Sequence, residues 1–460
     1  MRSQTPVHER FTVAGDRVVV LGAARSGLAA AELLAARGAH VTLSDLRETI
    51  EDRERLEALG ISLELGRHEL TTLLGATLIV LSPGVSPFQP VLEQARTAGV
   101  PVIGELELAS RWFEGPIVAI TGTKGKSTTT TLVGRMLVAG GLKTCVGGNL
   151  GPAASLQVTS TSVDTFHVIE ASSFQLEVID TFHPRVAVFL NFSPDHLDRH
   201  RSEREYADAK TRIFQNQTAD DFAIVNADDE TVMAMARGAR ATCVKFSHDT
   251  VPPDGLGIRD GMIGRQRGET FKSLVPVSSV RLLGRHLLGD VIAAAGVADL
   301  LGVAPEAITA AVEGFTGLEH ALEPVATIDG VQFVNDSKAT NIEAARRAIE
   351  AFDRGVVAIV GGRFKGGDVT ALAEPVRARG RAVVTIGESG PRFRDALAPV
   401  VPVVEAYSMA EAVREAWRLA RPDGVVVLAP GCSSFDMFRD YAERGRVFKE
   451  EVARLASHVR

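Results

Sequence analysis

Cysteine is scarce in this chain. Cys145, Cys243 and Cys432 are the whole complement among 460 residues, and no two of them share the close spacing of a zinc-ligand pair or a disulfide framework. A disulfide-stapled or zinc-stapled fold is therefore excluded, and a reducing compartment is expected. No run approaches the ~18 apolar residues of a membrane span, and the opening MRSQTPVHER has no apolar core of the signal-peptide kind. These absences predict a soluble cytoplasmic protein with no membrane span. Excess positive charge is missing too: the formal net charge is -7 and no long one-sign tail is present, which argues against nucleic acid as a partner. Lysine is sparse, nine of the 50 basic residues, at 124, 126, 143, 210, 245, 272, 338, 365 and 449. Where nearly every cation is written as Arg, a retained Lys marks a position to question, because a compact ammonium and a planar guanidinium are not interchangeable.

With 45% hydrophobic residues, the chain can bury sizeable cores, and its length suggests two or three domains. Short apolar runs alternate with helix-length amphipathic segments, a pattern of α/β domains with parallel sheets covered on both faces. Three domains are expected: residues 1–106, Rossmann-like; 107–316, a P-loop-like central domain with a mostly parallel sheet; and 317–460, again Rossmann-like. In the first, strands are predicted at Val18–Leu21, Val41–Leu43, Leu78–Leu81 and Val100–Ile103. The turn Gly22-Ala23-Ala24-Arg25-Ser26-Gly27, with Asp45 ending the next strand, is an incomplete dinucleotide fingerprint, since Ala24 stands where a glycine would let a pyrophosphate approach. NAD, another nucleotide diphosphate, or close helix–strand packing all remain open for it. Ser82-Pro83-Gly84-Val85 follows a strand, at the edge where such sheets bind ligands. Residues 106–116 read as the link to the second domain.

That domain opens with Ile120-Thr121-Gly122-Thr123-Lys124-Gly125-Lys126-Ser127-Thr128 between a predicted strand, Pro116–Ile120, and a predicted helix, Ser127–Ala139. A strand turning through glycines into a helix N-terminus aims backbone N–H groups and the positive end of the dipole at one point, where polyphosphate fits. Lys126 would add a point charge, and Ser127 could join a Mg2+ shell. Later strands are predicted at Phe166–Ile169, Val186–Leu190, Ala223–Asn226 and Thr242–Phe246, then an antiparallel patch with turns from Pro252 to Gly268, and two helices, Leu287–Leu301 and Pro305–Val312. Glu170 at a strand end is the natural second Mg2+ ligand. The loop Asn191-Phe192-Ser193-Pro194-Asp195-His196-Leu197-Asp198-Arg199-His200 is rich in acceptors and imidazoles, suited to metal, phosphate or proton transfer; His196 is favoured near Mg2+, and His200 reads as a surface residue. Lys210, in Tyr206-Ala207-Asp208-Ala209-Lys210, reads by spacing alone as a helix-surface lysine.

Gly314–Gly317 reads as a hinge, and glycines between α/β units predict domains that close on substrates. The third domain begins with a hairpin turned at Asp329-Gly330 and continues with strands at Val356–Val360, Ala382–Ile386, Val401–Val404 and Val425–Leu428. Three strand-to-helix turns, Asn335-Asp336-Ser337-Lys338-Ala339-Thr340-Asn341, Gly361-Gly362-Arg363-Phe364-Lys365-Gly366-Gly367-Asp368 and Pro430-Gly431-Cys432-Ser433-Ser434-Phe435-Asp436, would line a pocket for a carboxylate substrate if they share one sheet edge.

Taken in order, T-G-T-K-G-K-S-T, the Gly147–Asn149 run, E-A-S-S-F-Q-L-E, N-F-S-P-D-H-L-D-R-H, Y-x-x-A-K, N-D-S-K-A-T-N, G-G-R-F-K and the Ser433-Ser434-Phe435 turn resemble the Mur ligases over nearly the whole chain. The resemblance, with G-x-x-R-S-G and Asp45 in the first domain, implies a cytoplasmic ATP-dependent ligase that joins D-glutamate to UDP-N-acetylmuramoyl-L-alanine through an acyl phosphate, in peptidoglycan precursor synthesis, acting as a monomer. It implies that Gly122, Thr123, Lys124, Gly125, Lys126, Ser127 and Thr128, with Asp290, Asp336 and Lys338, bind ATP. Ser127, Glu170, His196 and a carbamylated Lys210 would hold two Mg2+ ions, with Lys126, His196 and Lys210 catalytic. Asp45, Arg47, Ser82, Pro83, Gly84 and Asn149 would contact the UDP-sugar, and Thr340, Lys365, Ser434 and Phe435 the glutamate. Three departures stand out: Ala321 where the family places Arg, Leu287 and Asp290 where it places amides, and Lys124 where Asn is common. A related ligase adding L-glutamate or another amino acid, or a weakly active nucleotide sensor, are the alternative readings.

Overall fold

A computed structural model of the chain describes residues 11–50, 52–195, 199–282 and 287–459. The chain divides into two compact units, Met1–Val280 with Leu288–Val312, and Arg281–Leu287 with Glu313–Arg460.

The first unit contains two sheets. Five parallel strands, β1 (Arg17–Leu21), β2 (His40–Asp45), β3 (Ser62–Leu65), β4 (Leu78–Leu81) and β5 (Val102–Gly104), lie in the order β3-β2-β1-β4-β5. The four residues of β4 are buried on both faces, which is why it reads as an unbroken apolar run. β3 is an edge strand with no buried residue, and its S-L-E-L lacks the apolar signal; it was not anticipated. Strand order reverses between β1 and β4, so the turns after both lie side by side at the C-terminal edge.

The second sheet runs β14-β13-β12-β11-β10-β9-β6-β8-β7. Here β6 (Ile117–Thr121), β7 (Thr144–Gly148), β8 (Phe166–Glu170), β9 (Val186–Phe189), β10 (Phe222–Asn226) and β11 (Thr242–Phe246) are parallel. β12 (Leu256–Arg259), β13 (Met262–Arg267) and β14 (Thr270–Pro276) form the antiparallel patch expected from the turns beginning at Pro252. β7, a short T-C-V-G-G run ending in glycines, was also missed. The stretch read as a link lies between the two sheets in sequence and is itself packed. Its first part lies in the helix Glu105–Ser110, whose Glu107 is fully buried and accepts the N–H groups of Asp180, Thr181 and Phe182, the Thr181 hydroxyl and Arg111 Nε. Burial alone would raise the Glu107 pKa, but these donors outweigh it and hold the carboxyl below its ordinary value. A buried carboxylate so fully bonded to the central sheet's loops makes this linking segment a brace as well.

The second unit has one sheet in the order β15-β16-β20-β17-β18-β19, comprising β15 (Glu323–Ile328), β16 (Val331–Asn335), β17 (Val356–Gly361), β18 (Gly380–Ile386), β19 (Val403–Ala406) and β20 (Val425–Leu428). β15 and β16 form the antiparallel hairpin anticipated at Asp329-Gly330, whose φ values of 46° and 81° suit the twist of a two-residue turn. The other pairings are parallel. Because β16, β20 and β17 are neighbours, the three turns bearing Lys338, Ser434 and Lys365 leave one edge, as the sequence predicted.

Candidate active site

Register decides what meets at the C-terminal edge of the central sheet. Ile120 of β6 and Gly148 of β7 both pair with Glu170 of β8, so the glycine loop, Asn149 and Glu170 emerge level with one another. Ser127 Oγ donates to Glu170 Oε2 at 2.7 Å, and Asn149 Nδ2 donates to Glu170 Oε1 at 2.6 Å. The loop is fastened to β9's extension: Asn191 O accepts Thr123 N at 3.0 Å, and Asn191 Oδ1 accepts Lys124 N at 2.8 Å. Gly125 caps the helix Lys126–Ala139 in the left-handed region, φ 79°, and a Cβ there would collide with the carboxylate of buried Asp290. Only glycine meets both demands. The first helical i to i−4 bond beyond this cap runs from Thr129 N to Gly125 O, so Lys126, Ser127 and Thr128 occupy the turn whose N–H groups suit an anion. Burial pushes the Asp290 pKa up to about 7, with Lys126 opposing.

Two lysines converge on one carbonyl. Lys126 Nζ donates to Gly122 O and Thr123 O, both at 2.9 Å, and Lys210 Nζ donates to Gly122 O at 2.7 Å. Lys210, read from spacing as a surface residue, is 1% exposed. The helix Glu203–Thr211 turns it inward with Tyr206, one turn earlier, whose ring lies 4.8 Å from Nζ and whose hydroxyl is 3.3 Å from Thr123 Oγ1. Burial first, and repulsion from Lys126 second, depress the Lys210 pKa well below that of a free lysine, against the pull of Asp195 and Glu170. His200 also departs from the sequence reading: it is 1% exposed, its Nε2 2.9 Å from Ser173 Oγ and its Nδ1 3.1 Å from Glu177 Oε1. The Ser173 hydroxyl bonds one ring nitrogen, and the Glu177 carboxyl lies beside the other without an aligned hydrogen bond. His196 lies outside the described residues. Lys124 Nζ stands 3.5 Å from Asp195.

In the first sheet, Asp45 accepts Ala23 N at 2.6 Å and is bonded by Arg47 Nε at 2.9 Å and Arg47 Nη2 at 3.0 Å, which hold its carboxyl far below the usual range. A Cβ at Gly27 would strike the Gly22 carbonyl oxygen, so this pair packs helix on strand. Ser82 is buried against both glycines, and Val85 N bonds Ser82 O at 2.9 Å to close the turn holding Pro83 and Gly84.

In the second unit, Gly361 N donates to Pro430 O, Gly431 N to Ala339 O, and Arg363 and Ser433 exchange backbone bonds. The three turns are one assembly. Arg444 secures it: fully buried, it donates to Ser337 Oγ, Ser337 O and Cys432 O at 2.9, 2.8 and 3.1 Å. It was missed, and as one Arg among many nothing in its surroundings in sequence singles it out. Asp336 is half-buried and accepts Leu322 N at 3.1 Å; desolvation raises its pKa to about 7. Lys338 and Lys365 are exposed, Thr340 is half-buried, Ser434 is buried and Phe435 is 62% exposed.

A glycine loop at a helix N-terminus, a hydroxyl and carboxylate meeting beside it, and a second lysine buried beneath define a nucleoside-triphosphate-binding α/β protein. Three family descriptions match it: Mur ligase MurD-like, N-terminal domain, at residues 16–104; Mur ligase middle domain, at 120–298; and Mur ligase, glutamate ligase domain, at 322–432. The chain belongs to the Mur ligase family. It is 44% identical over 447 residues to the UDP-N-acetylmuramoylalanine--D-glutamate ligase of Koribacter versatilis (strain Ellin345), covering 96% of this chain and 98% of that one. It is also 44% identical over 444 residues to the ligase of the same name from Pelobacter propionicus (strain DSM 2379 / NBRC 103807 / OttBd1), covering 95% and 99%. Among solved structures, UDP-N-acetylmuramate-alanine ligase MurC from Thermotoga maritima superposes with a TM-score of 0.59 at 19% identity, covering 96% of this chain and all of that one, which shows the shared fold.

Proposed function

We propose that this chain is the cytoplasmic ligase that joins D-glutamate to UDP-N-acetylmuramoyl-L-alanine at the expense of ATP, acting as a monomer. The observation that carries the reading is the meeting of Ser127, Glu170 and Asn149 at the phosphate loop, with the buried amine of Lys210 bonded directly to that loop at Gly122 O. The Gly122–Thr128 loop takes the ATP phosphates, and Lys126 swings from two carbonyls onto their outer oxygens. The L-alanyl carboxylate attacks the γ-phosphorus, the bond to ADP breaks, and an acyl phosphate forms. The glutamate amine then attacks the acyl carbon and phosphate leaves. Asp45, Arg47 and Ser82–Gly84 serve the UDP end, and Asn149 the muramoyl end. Thr340, Lys365, Ser434 and Phe435 receive glutamate, while Asp336, Lys338 and Asp290 serve the nucleotide. Since anions must meet, catalysis is positioning and charge neutralisation.

The oxygen donors fit Mg2+: Ser127 Oγ and the Glu170 carboxylate lie within 2.7 Å of each other, and both would offer oxygen lone pairs to a hard cation. Bound there, Mg2+ would neutralise the phosphate charge; His196 is a ligand by resemblance. An amine is a poor Mg2+ ligand, but burial lowers the Lys210 pKa well below that of a free lysine and so favours the neutral amine, the form whose lone pair attacks CO2. Loss of one N–H proton to water leaves a carbamate with the oxygens the amine lacks.

Phosphate release should require UDP-N-acetylmuramoyl-L-alanine, ATP, Mg2+ and D-glutamate, and should be absent when L-glutamate or L-lysine replaces D-glutamate. Turnover with another acceptor identifies a sister ligase; nucleotide binding without turnover identifies a sensor. Lys210→Ala should abolish activity, and short carboxylic acids should restore part of it. Unimpaired activity in that variant, without added acid, contradicts the carbamate.

A further inference from the structure

Glu177, Phe174 and Arg199 lie beyond the residues assigned to substrates, yet they connect the central site to the first sheet's ligand edge. The helix Ser173–Leu176 follows directly on Glu170 and is fixed by a capping box, in which Ser172 Oγ accepts Gln175 N while Gln175 Oε1 accepts Ser172 N. Phe174 and Glu177, three residues apart, face the same guanidinium. Arg199 Cζ is 5.1 Å from the Phe174 ring centre and its Nη2 is 3.8 Å from Glu177 Oε2. The same Nη2 donates to Val85 O at 2.9 Å. Val85 closes the Ser82 turn, and its methyl group would lie 2.7 Å from a Cβ at Gly22, so it seats the Gly22 turn as well. Arg199 is only 17% exposed in its side chain, despite its charge. Two residues on, Arg201 covers the Phe88 ring at 4.6 Å, a second contact from the same segment onto the same loop.

We propose that Arg199 is a positioning residue for the UDP-sugar: by holding the Val85 carbonyl from the element that follows Glu170, it sets the first sheet's diphosphate-facing turns at a defined reach from the ATP phosphates. This rests on the function proposed above, in which those turns receive the UDP end. Arg199 need not touch either substrate; its effect passes through Val85 to Ser82 and Gly22. A planar guanidinium can stack on Phe174 and donate to Val85 at once, which an ammonium cannot do as well.

The test is calorimetric binding and steady-state kinetics on the full chain, with wild type, Arg199→Met and Arg199→Lys. Arg199→Met should weaken binding of UDP-N-acetylmuramoyl-L-alanine and raise its KM by roughly tenfold or more, the loss expected of one charge-assisted hydrogen bond. ATP affinity and the KM for D-glutamate should stay within about twofold in the same variant, a split that a general folding role would not produce. Arg199→Lys should recover part of the loss. Equal UDP-sugar affinity in wild type and Arg199→Met overturns the proposal, as does a parallel loss of ATP affinity in both variants. Failure of the wild type to bind the UDP-sugar at all would instead overturn the functional reading on which it rests.

Discussion

Replacing Glu177 with glutamine should stabilise the protein at neutral and alkaline pH and leave it nearly unchanged in acid. The Glu177 side chain is 7% exposed, and neither oxygen accepts a well-aligned hydrogen bond among the described residues. Burial raises its pKa from 4.5 to about 7; Arg199 opposes this, Glu205 adds to it, Arg212 and Arg201 oppose it more weakly, and His200 lies against it. The unfolded chain releases this proton near its ordinary value while the folded chain keeps it to about pH 7. Between those limits the unfolded state binds fewer protons, so stability falls as pH rises. At about 1.36 kcal/mol per unit, the shift corresponds to about 3 kcal/mol, absent below pH ~4 and fully expressed above pH ~8. Glutamine keeps the volume and removes the titration. Thermal or denaturant midpoints of wild type and Glu177→Gln should therefore coincide near pH 4.5 and separate by several degrees at pH 8, with the variant higher. Parallel pH profiles, or a variant that is weaker at pH 8, would refute the reasoning, because they would mean that Arg199 and His200 sustain an ionised Glu177.

Gly125→Ala should lose ATP binding and cost at least the ~1–2 kcal/mol of a left-handed non-glycine residue, since its Cβ also meets Asp290; nucleotide titration and melting check this, and wild-type ATP affinity would show that the loop moves freely. Ala321→Arg should raise kcat/KM for ATP if the position lacks a phosphate-binding cation; an unchanged or lower rate would show that the chain compensates elsewhere.

Much of this molecule is legible in one dimension. The phosphate loop, Glu170 at its strand end and the three turns of the second unit are each contiguous, and a strand ending in glycines before a helix has few alternatives. The hairpin at Asp329-Gly330 is local for the same reason, since both residues tolerate positive φ. What escaped was either weak in pattern or distant in sequence. β3 and β7 have too little apolar content to stand out, and Arg444 serves a turn 107 residues away.

The sequence by itself therefore determined the class of fold, the phosphate loop and the family resemblance, because these depend on short-range patterns of apolar residues, glycines and charges. Only the tertiary structure decided which residues are inside. Lys210 and His200 sit among charged neighbours and read as surface residues, yet each is 1% exposed. Their burial follows from partners 88 residues away at Gly122 and 27 residues away at Ser173. Burial lowers the pKa of the Lys210 amine well below that of a free lysine, and no spacing rule conveys desolvation.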